Sequence, residues 1–387
     1  MKLKTSTTFR ALSLSFGIHI SSMNLPCKKP THTTLLNWIH KIGYYELTKT
    51  KEKADDWILI LDESIQLGQD KVLVIFGIRE KDIDFSRPLN FQDLTPLREI
   101  TKEKWNGDLI KETLLDLKEE IGNVKYAVGD YGSDLHKGLR LAEIPHIHDL
   151  THKIALFLEK KYQNNEQYNE ISKNMSDMRV KLGQSKIAHI IPPKQRKKSR
   201  YQNIKTISDW CIKTIRYIEN DKTIENEIFD KLKWLLDYNK FVEELSEINT
   251  AINTIEKILK YSGFSALTEE SSLEVLSKIK SGIGYQLHNE MKTYFSETKN
   301  LLPDCQKILL SSDIIESAFG KYKNYVSLNP MAGVTNLILC ISAFTASLEK
   351  SEIKKALESV TINDIKNWTK EFVGKTLLQK RRAVLNN

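Results

Sequence analysis

Cysteine is scarce in this 387-residue chain: Cys27, Cys211, Cys305 and Cys340 stand far apart, with no CxxC spacing. That pattern indicates neither a zinc site nor a disulfide framework, and it fits a reducing, cytosolic environment. Long apolar runs are missing as well. The most apolar late stretch, Ala332 to Leu348, is interrupted by Thr335, Asn336, Ser342, Thr345 and Ser347. It falls short of the ~18 uninterrupted residues of a membrane span and reads as a buried helix. Met1 to Arg10 lacks the apolar centre of a signal peptide. What the chain does have is 40% apolar and 28% charged residues, the balance of a folded globular protein rather than a disordered one. Its length exceeds one compact core, so two or three domains are expected. A net charge of +8 is compatible with a polyanionic partner without requiring one.

Residues 1–50 form a small helical region. Phe9 to Ile20 predicts one helix, and a second follows Pro26 and Pro30. In it Leu35, Trp38, Ile39 and Ile42 line one face, Thr31 or Thr33 caps the start, and Gly43 ends it. Thr33, Asn37, His40 and Lys41 then fall on the outer face. These residue types suit a helix-turn-helix that reads DNA, and equally a plain packing helix with a polar exterior.

Residues 51–162 alternate strand and helix. Trp57-Ile-Leu-Ile-Leu-Asp62 runs five large apolar residues into a carboxylate, the pattern of a strand buried on both faces. A second run, Lys71 to Ile78, follows a short loop at Gly68, Gln69 and Asp70 and predicts a hairpin. Leu94 to Ile100 adds a third strand. Trp105 to Ile121 is an amphipathic helix with Ile110, Leu114, Leu117 and Ile121 at helical spacing. Val124 to Asp130 is a strand ending in a second aspartate, Asp134 to Glu143 a short helix, Pro145 to Asp149 a last strand and Leu150 to Tyr162 a helix. The sum is an α/β fold on a mixed sheet with carboxylates at strand ends. Burying an unpaired carboxylate costs several kcal/mol or so, so Asp62 reads either as the ligand of a divalent metal or as a strand-ending cap of the following turn.

Residues 163–310 lose the strand signal and read as an all-helical insertion. Phe241, Leu245, Ile248, Ile252, Ile255 and Leu259 follow a coiled-coil-like 4-3 spacing, assigned to packing within the chain. Lys194, Arg196, Lys197, Lys198 and Arg200 make a basic run, either a solvated loop or a phosphate contact. Residues 311–350 open on Ser311-Ser-Asp-Ile-Ile-Glu316-Ser-Ala-Phe-Gly-Lys-Tyr-Lys323. Here Ile315, Phe319 and Tyr322 form an apolar face, and Asp313-x-x-Glu316 also fits a capping box. Residues 351–387 form a helical tail with a basic cluster, Lys380-Arg-Arg382.

Asp62, Asp130 and Glu316 thus fall at the end of the first strand, at the end of the fourth, and on a helix after the fifth. Ala-Val-Gly-Asp130-Tyr-Gly-Ser-Asp134-Leu-His-Lys-Gly-Leu resembles the second-aspartate region of bacterial insertion-sequence transposases. Asp313 to Lys323 is similar to their catalytic-glutamate helix, and His148-Asp149-Leu-Thr-His152 resembles the C/DxxH motif of hAT and Mutator-like groups. The chain therefore resembles a DDE-type transposase, with a ribonuclease H-like core over about residues 55–345 and a helical insertion before the glutamate.

The resemblance implies Asp62, Asp130 and Glu316 as catalytic ligands of two Mg²⁺ ions, with Mn²⁺ as substitute, for in-line phosphoryl transfer on DNA. It makes Asp149 and His152 accessory, and Asp134 competes with Asp130 as second ligand. His152, in the first turn of a helix, is alternatively a surface or capping residue. Lys194, Arg196, Lys197, Lys198, Arg200, Lys321 and Lys323 would hold phosphate. The partners implied are element ends, target DNA and further copies of the chain in a dimer or larger synaptic complex, in the bacterial cytoplasm on the nucleoid. A nuclease of the same fold and a catalytically dead DNA-binding regulator are the other readings.

Overall fold

The protein is described by a computed structural model covering residues 2–5, 7–67, 70–195, 204–220, 225–326, 334–375 and 377–385. Two compact units divide the chain, Met1–Asp149 with Ser311–Asn387, and Leu150–Leu310. Among the described residues no helix is long and apolar enough to cross a membrane.

The first unit begins with α1 (Phe9–Ser22) and α2 (His32–Thr48). The Thr31 hydroxyl caps α2 by accepting from the Thr34 amide, one of the amides a helix start leaves without an internal partner. Gly43 does not end this helix, which continues to Thr48. It is instead the point of closest approach to the late segment: a Cβ there would sit 1.8 Å from the Leu339 carbonyl oxygen. Trp38 is 38% exposed and lies off the packed face, whereas His40 is buried.

The sheet follows: β1 (Ala54–Leu67), β2 (Asp70–Arg79), β3 (Thr95–Lys102), then α3 (Gly107–Ile121), β4 (Gly122–Gly129), α4 (Ser133–Leu141) and β5 (His146–His148). The strands are mixed and lie in the order β3-β2-β1-β4-β5. β1, β2 and β3 pair antiparallel, while β4 pairs parallel to β1 and β5 parallel to β4. The hairpin loop at Gly68 and Gln69 lies outside the described residues.

Trp57, Leu59 and Leu61 pack into one cluster with Ile110, Leu114, Leu117 and Ile121 of α3 and Leu135 and Leu139 of α4. Alternation along a strand sends Ile58, Ile60 and Asp62 to the opposite face. That second face is also covered, which is why the apolar run of β1 is unbroken. Gly122 joins α3 to β4 at φ 95°, where a Cβ would meet the Ala54 carbonyl oxygen at 2.4 Å. Only glycine fits both the dihedral and the space.

Among the described residues of the Leu150–Leu310 unit the regular structure is helical, with an antiparallel bridge between Phe264 and Ile308. It holds α5 (Leu150–Tyr162), α6 (Glu166–Leu182), α7 (Ile204–Asn220), α8 (Asn226–Leu232), α9 (Asn239–Ser262), α10 (Ala266–Ser277) and α11 (Gly282–Leu301). In α9 all six residues of the 4-3 seam are buried, and the helix packs on α7 and α10 inside the same unit.

The chain then returns to the first unit with α12 (Asp313–Tyr325), α13 (Cys340–Ala343), α14 (Lys350–Ser359), α15 (Ile362–Trp368) and α16 (Leu377–Leu385). Ala332 and Gly333 of the stretch expected as one helix to Leu348 lie outside the described residues; the described part holds a 3-10 turn, Asn336–Leu339, followed by the single turn of α13. It is deeply buried all the same, with Ile338 through Phe344 at 3% exposure or less. Burial by tertiary neighbours, not helix length, accounts for its apolar character.

Candidate functional site

Asp62 does not sit at the end of its strand. β1 continues to Leu67, and Asp62 pairs with Val74 of β2, followed by a register shift before Ile65. Val74 in turn pairs with Glu99 of β3, so Asp62, Val74 and Glu99 stand in one row on the face away from α3. The helical segment at Ser342 covers this face, because the Ser342 amide donates to Glu99 Oε1 at 2.7 Å and its hydroxyl donates to the same oxygen. Asp62 is 6% exposed. α12, which carries Glu316, packs against β1 and α13.

Asp130 follows the last residue of β4. The parallel register pairs Ile60 with Val128, and continuing it by two residues sets Asp130 alongside Asp62, about 5 Å apart between backbones. β1 therefore outruns β4 at this point, leaving Asp62 and Asp130 at the place where the sheet narrows. The Asp130 carboxylate turns back on the chain and accepts from the Gly132 amide at 2.9 Å. A second carboxylate shares that neighbourhood: a Cβ on Gly132 would lie 3.0 Å from Asp130 Oδ1 and 3.7 Å from Glu63 Oε1.

Glu63 is the residue that sequence reading passed over. Burial pushes its carboxyl above the usual range, the Lys71 ammonium opposes that, and the charges of Asp130 and Asp134 push it up further. Lys71 stands 4.0 Å away, and Glu63 Oε2 is buried without a hydrogen-bond partner among the described residues. The signal was present as the doublet Asp62-Glu63, but alternation argues that one member of such a doublet faces away. The register shift after Asp62 relaxes that rule locally.

Glu316 is exposed in the first turn of α12. The capping box expected from Asp313 and Glu316 does not form, since the cap position is Ser312 and Asp313 is already helical. Asp149 organises this helix start instead. Its carboxylate is fully buried, and Oδ2 accepts from the Ser312 amide at 2.7 Å and the Ser312 hydroxyl at 2.9 Å. The Asp149 amide donates to the Gly129 carbonyl at 2.8 Å. One residue thus ties the end of β4, beside Asp130, to the start of the helix that bears Glu316. Asp134 is half-buried in the first turn of α4, where a carboxylate suits the helix dipole. His152 is half-buried in the first turn of α5, in the helical unit.

The residues assigned to DNA contact are dispersed in their roles. Thr33 is exposed and Asn37 half-buried on α2. His40 faces inward at 3% exposure, Nε2 has no partner among the described residues, and burial pushes the ring down to about 4. It lies on the packed side of α2, not the outer one. Lys41 donates to the Leu357 carbonyl at 2.8 Å, which fastens α2 to α14. Lys321 lies over the Phe91 ring at 4.1 Å, and burial lowers its pKa. Lys194 and Lys323 are exposed. Arg196, Lys197, Lys198 and Arg200 lie outside the described residues.

Among the described residues, the group of three or more metal-ligating side chains already close enough to share an ion is histidine, not carboxylate. His136, His146 and His148 bring ring nitrogens within 4.8 Å of one another. The pattern His-x-His on β5 was the available sequence signal, and its third member comes from α4.

No protein-family model matches the chain, and no curated protein matches it in sequence. Solved structures similar to the chain include the Drosophila P element transposase strand transfer complex, at 13% identity, covering 90% of this chain and 93% of that one, with a TM-score of 0.42. A likeness that loose leaves the function open.

Proposed function

We propose that this protein is a DDE-type transposase of the insertion-sequence kind, built on a ribonuclease H-like core, that cuts DNA at element ends and joins the 3′-hydroxyl to a target. The observation that supports it best is the placement of two carboxylates on neighbouring parallel strands, Asp62 and Asp130, where β4 stops and β1 continues. The strand order β3-β2-β1-β4-β5 and the packing of α12 on β1 agree with it. The donor set suits Mg²⁺, with Mn²⁺ as substitute, because its oxygens are hard and negatively charged. The buried Glu63 Oε2, without a hydrogen-bond partner among the described residues and beside Asp130, marks a place where positive charge is wanted. Asp62, Asp130 and Glu316 would hold the metal, with Glu63 as an added candidate. When bound, the metal supplies activation of the attacking hydroxyl and stabilisation of the leaving oxygen. Asp149 acts on this reading as a positioning residue for the Glu316 helix. DNA is the partner, held by exposed basic side chains with an affinity that falls steeply as salt rises, and a homodimer or larger synaptic complex carries the reaction.

The test is Mg²⁺-dependent cleavage and strand transfer on DNA carrying the element's ends. Wild type is compared with Asp62→Asn, Glu63→Gln, Asp130→Asn, Asp134→Asn and Glu316→Gln, and DNA binding is measured beside each. Loss of chemistry with binding retained in the Asp62, Asp130 and Glu316 variants supports the proposal; strand transfer that survives any of the three refutes that residue's role. Cutting without joining makes the protein a nuclease of the same fold. A second reading, a DNA-binding protein without chemistry, draws on the exposure of Glu316 and on the lack of a preassembled carboxylate cluster among the described residues. A wild type that binds element ends and never cuts them favours it.

A further inference from the structure

Three of the chain's nine histidines converge on one point of the sheet. His146 and His148 are two apart on β5, so both side chains leave the same face. His136 comes from the first half of α4 to meet them. His136 Nδ1 and His146 Nδ1 are 3.2 Å apart. Ligands at the ~2.0–2.1 Å of a zinc–imidazole bond stand about 3.3 Å from one another around a tetrahedral ion, so this pair already has the spacing of two ligands on one metal. With all three nitrogens inside 4.8 Å, the third closes by about 1.5 Å through rotation of an imidazole. The rings are held for it: Tyr131 stacks on His148 at 3.9 Å between centroids and 9° between planes, and His146 lies 4.3 Å from His148.

The geometry points to a transition-metal site at His136, His146 and His148, taking Zn²⁺ with a water as fourth ligand, that pins α4 to β5. Imidazole donors favour Zn²⁺ over Mg²⁺, which demands oxygen, so this site is chemically separate from the carboxylates of the proposed active site. Access is open, because His136 is exposed while His146 is buried and His148 half-buried. The His136–His146 hydrogen bond joins Nδ1 of each ring. Since the turn Asp130–Gly132 lies between β4 and α4, metal at this corner also steadies the backbone that carries Asp130.

The full chain, stripped with EDTA, would be tested with Zn²⁺ and with Co²⁺ as an optical probe. We expect one Zn²⁺ retained per chain after gel filtration and a Tm several degrees higher, reversed by EDTA. Co²⁺ should give the visible bands of a tetrahedral nitrogen and oxygen site without a thiolate band. His136→Ala and His148→Ala should each weaken binding at least tenfold and abolish the Tm shift. His136 is exposed, so its variant tests the site without emptying the core. Asp62→Asn and Asp130→Asn should keep both the stoichiometry and the shift, which separates failure here from failure of the transposase reading. A wild type that retains no Zn²⁺, or binding that is unchanged in both histidine variants, overturns the proposal.

Discussion

Removing the Asp149 carboxylate should loosen the start of α12 more than any other single change near the site. Its Oδ2 accepts two hydrogen bonds from Ser312, at 2.7 and 2.9 Å. Asp149 is 0% exposed and Ser312 4%, so water cannot replace the lost acceptor. A hydrogen bond to a charged group contributes about 1.5–3 kcal/mol. The two share one oxygen and are not additive, so Asp149→Ala should cost about 3–5 kcal/mol, stranded donors included. Asp149→Asn keeps one carbonyl oxygen and should cost about 1–2 kcal/mol. Ser312→Ala removes only the hydroxyl, for about 1 kcal/mol. Urea unfolding of the three single variants and the Asp149→Ala, Ser312→Ala double variant gives the coupling energy. Amide exchange over residues 311–318 reports where the loss falls. An Asp149→Ala protein within about 0.5 kcal/mol of wild type, with exchange unchanged over those amides, would refute the positioning role. On the proposed function, the same variant should lose strand transfer while still binding DNA.

Two further predictions concern pH. Burial pushes Glu99 up to about 8, against which the Ser342 hydrogen bonds pull it down. Folding therefore favours the protonated form: the stability is fully present below the unfolded carboxyl pKa near 4.5 and is lost as pH rises towards 8. Glu99→Gln keeps the acceptor for Ser342 and should flatten that decline, gaining on the order of 1.4 kcal/mol per unit of the window by pH 8. A Tm profile from pH 5 to 9 parallel to wild type would count against it. His40 titrates in the opposite sense. Burial pushes it down to about 4 from 6.5, so its stability contribution is present above pH 6.5 and lost as pH falls towards 4. His40→Leu removes the Nε2 that has no partner among the described residues and should raise Tm at pH 5 relative to pH 7.5, and an unchanged difference between the two would show that the ring is hydrated.

Elements whose burial is periodic were legible from the residues alone. The run Trp57 to Leu61 had to be a strand covered on both faces, and it is, at 3% exposure or less throughout. The spacing of Ile110, Leu114, Leu117 and Ile121 had to be a helix with one packed side, and those four residues line the core under the sheet. Period carries this information because it reports which side of an element meets the interior.

Period does not say which distant residue waits there, and tertiary structure decided everything that depends on that. Gly43 looked like a helix stop and is the gap into which the Leu339 backbone fits. His40 looked solvent-facing because polar residues usually are, but the late segment closes over α2. Asp62 looked terminal because the apolar run ends there, but its strand continues through pairing with β2. Asp149 acquires its partner from 163 residues away, and His136 meets His146 and His148 only because α4 folds back onto β5. Local patterning fixes faces through solvation. Contacts between faces follow from the packing of the whole chain, where one buried hydrogen bond or one missing Cβ decides which neighbours fit.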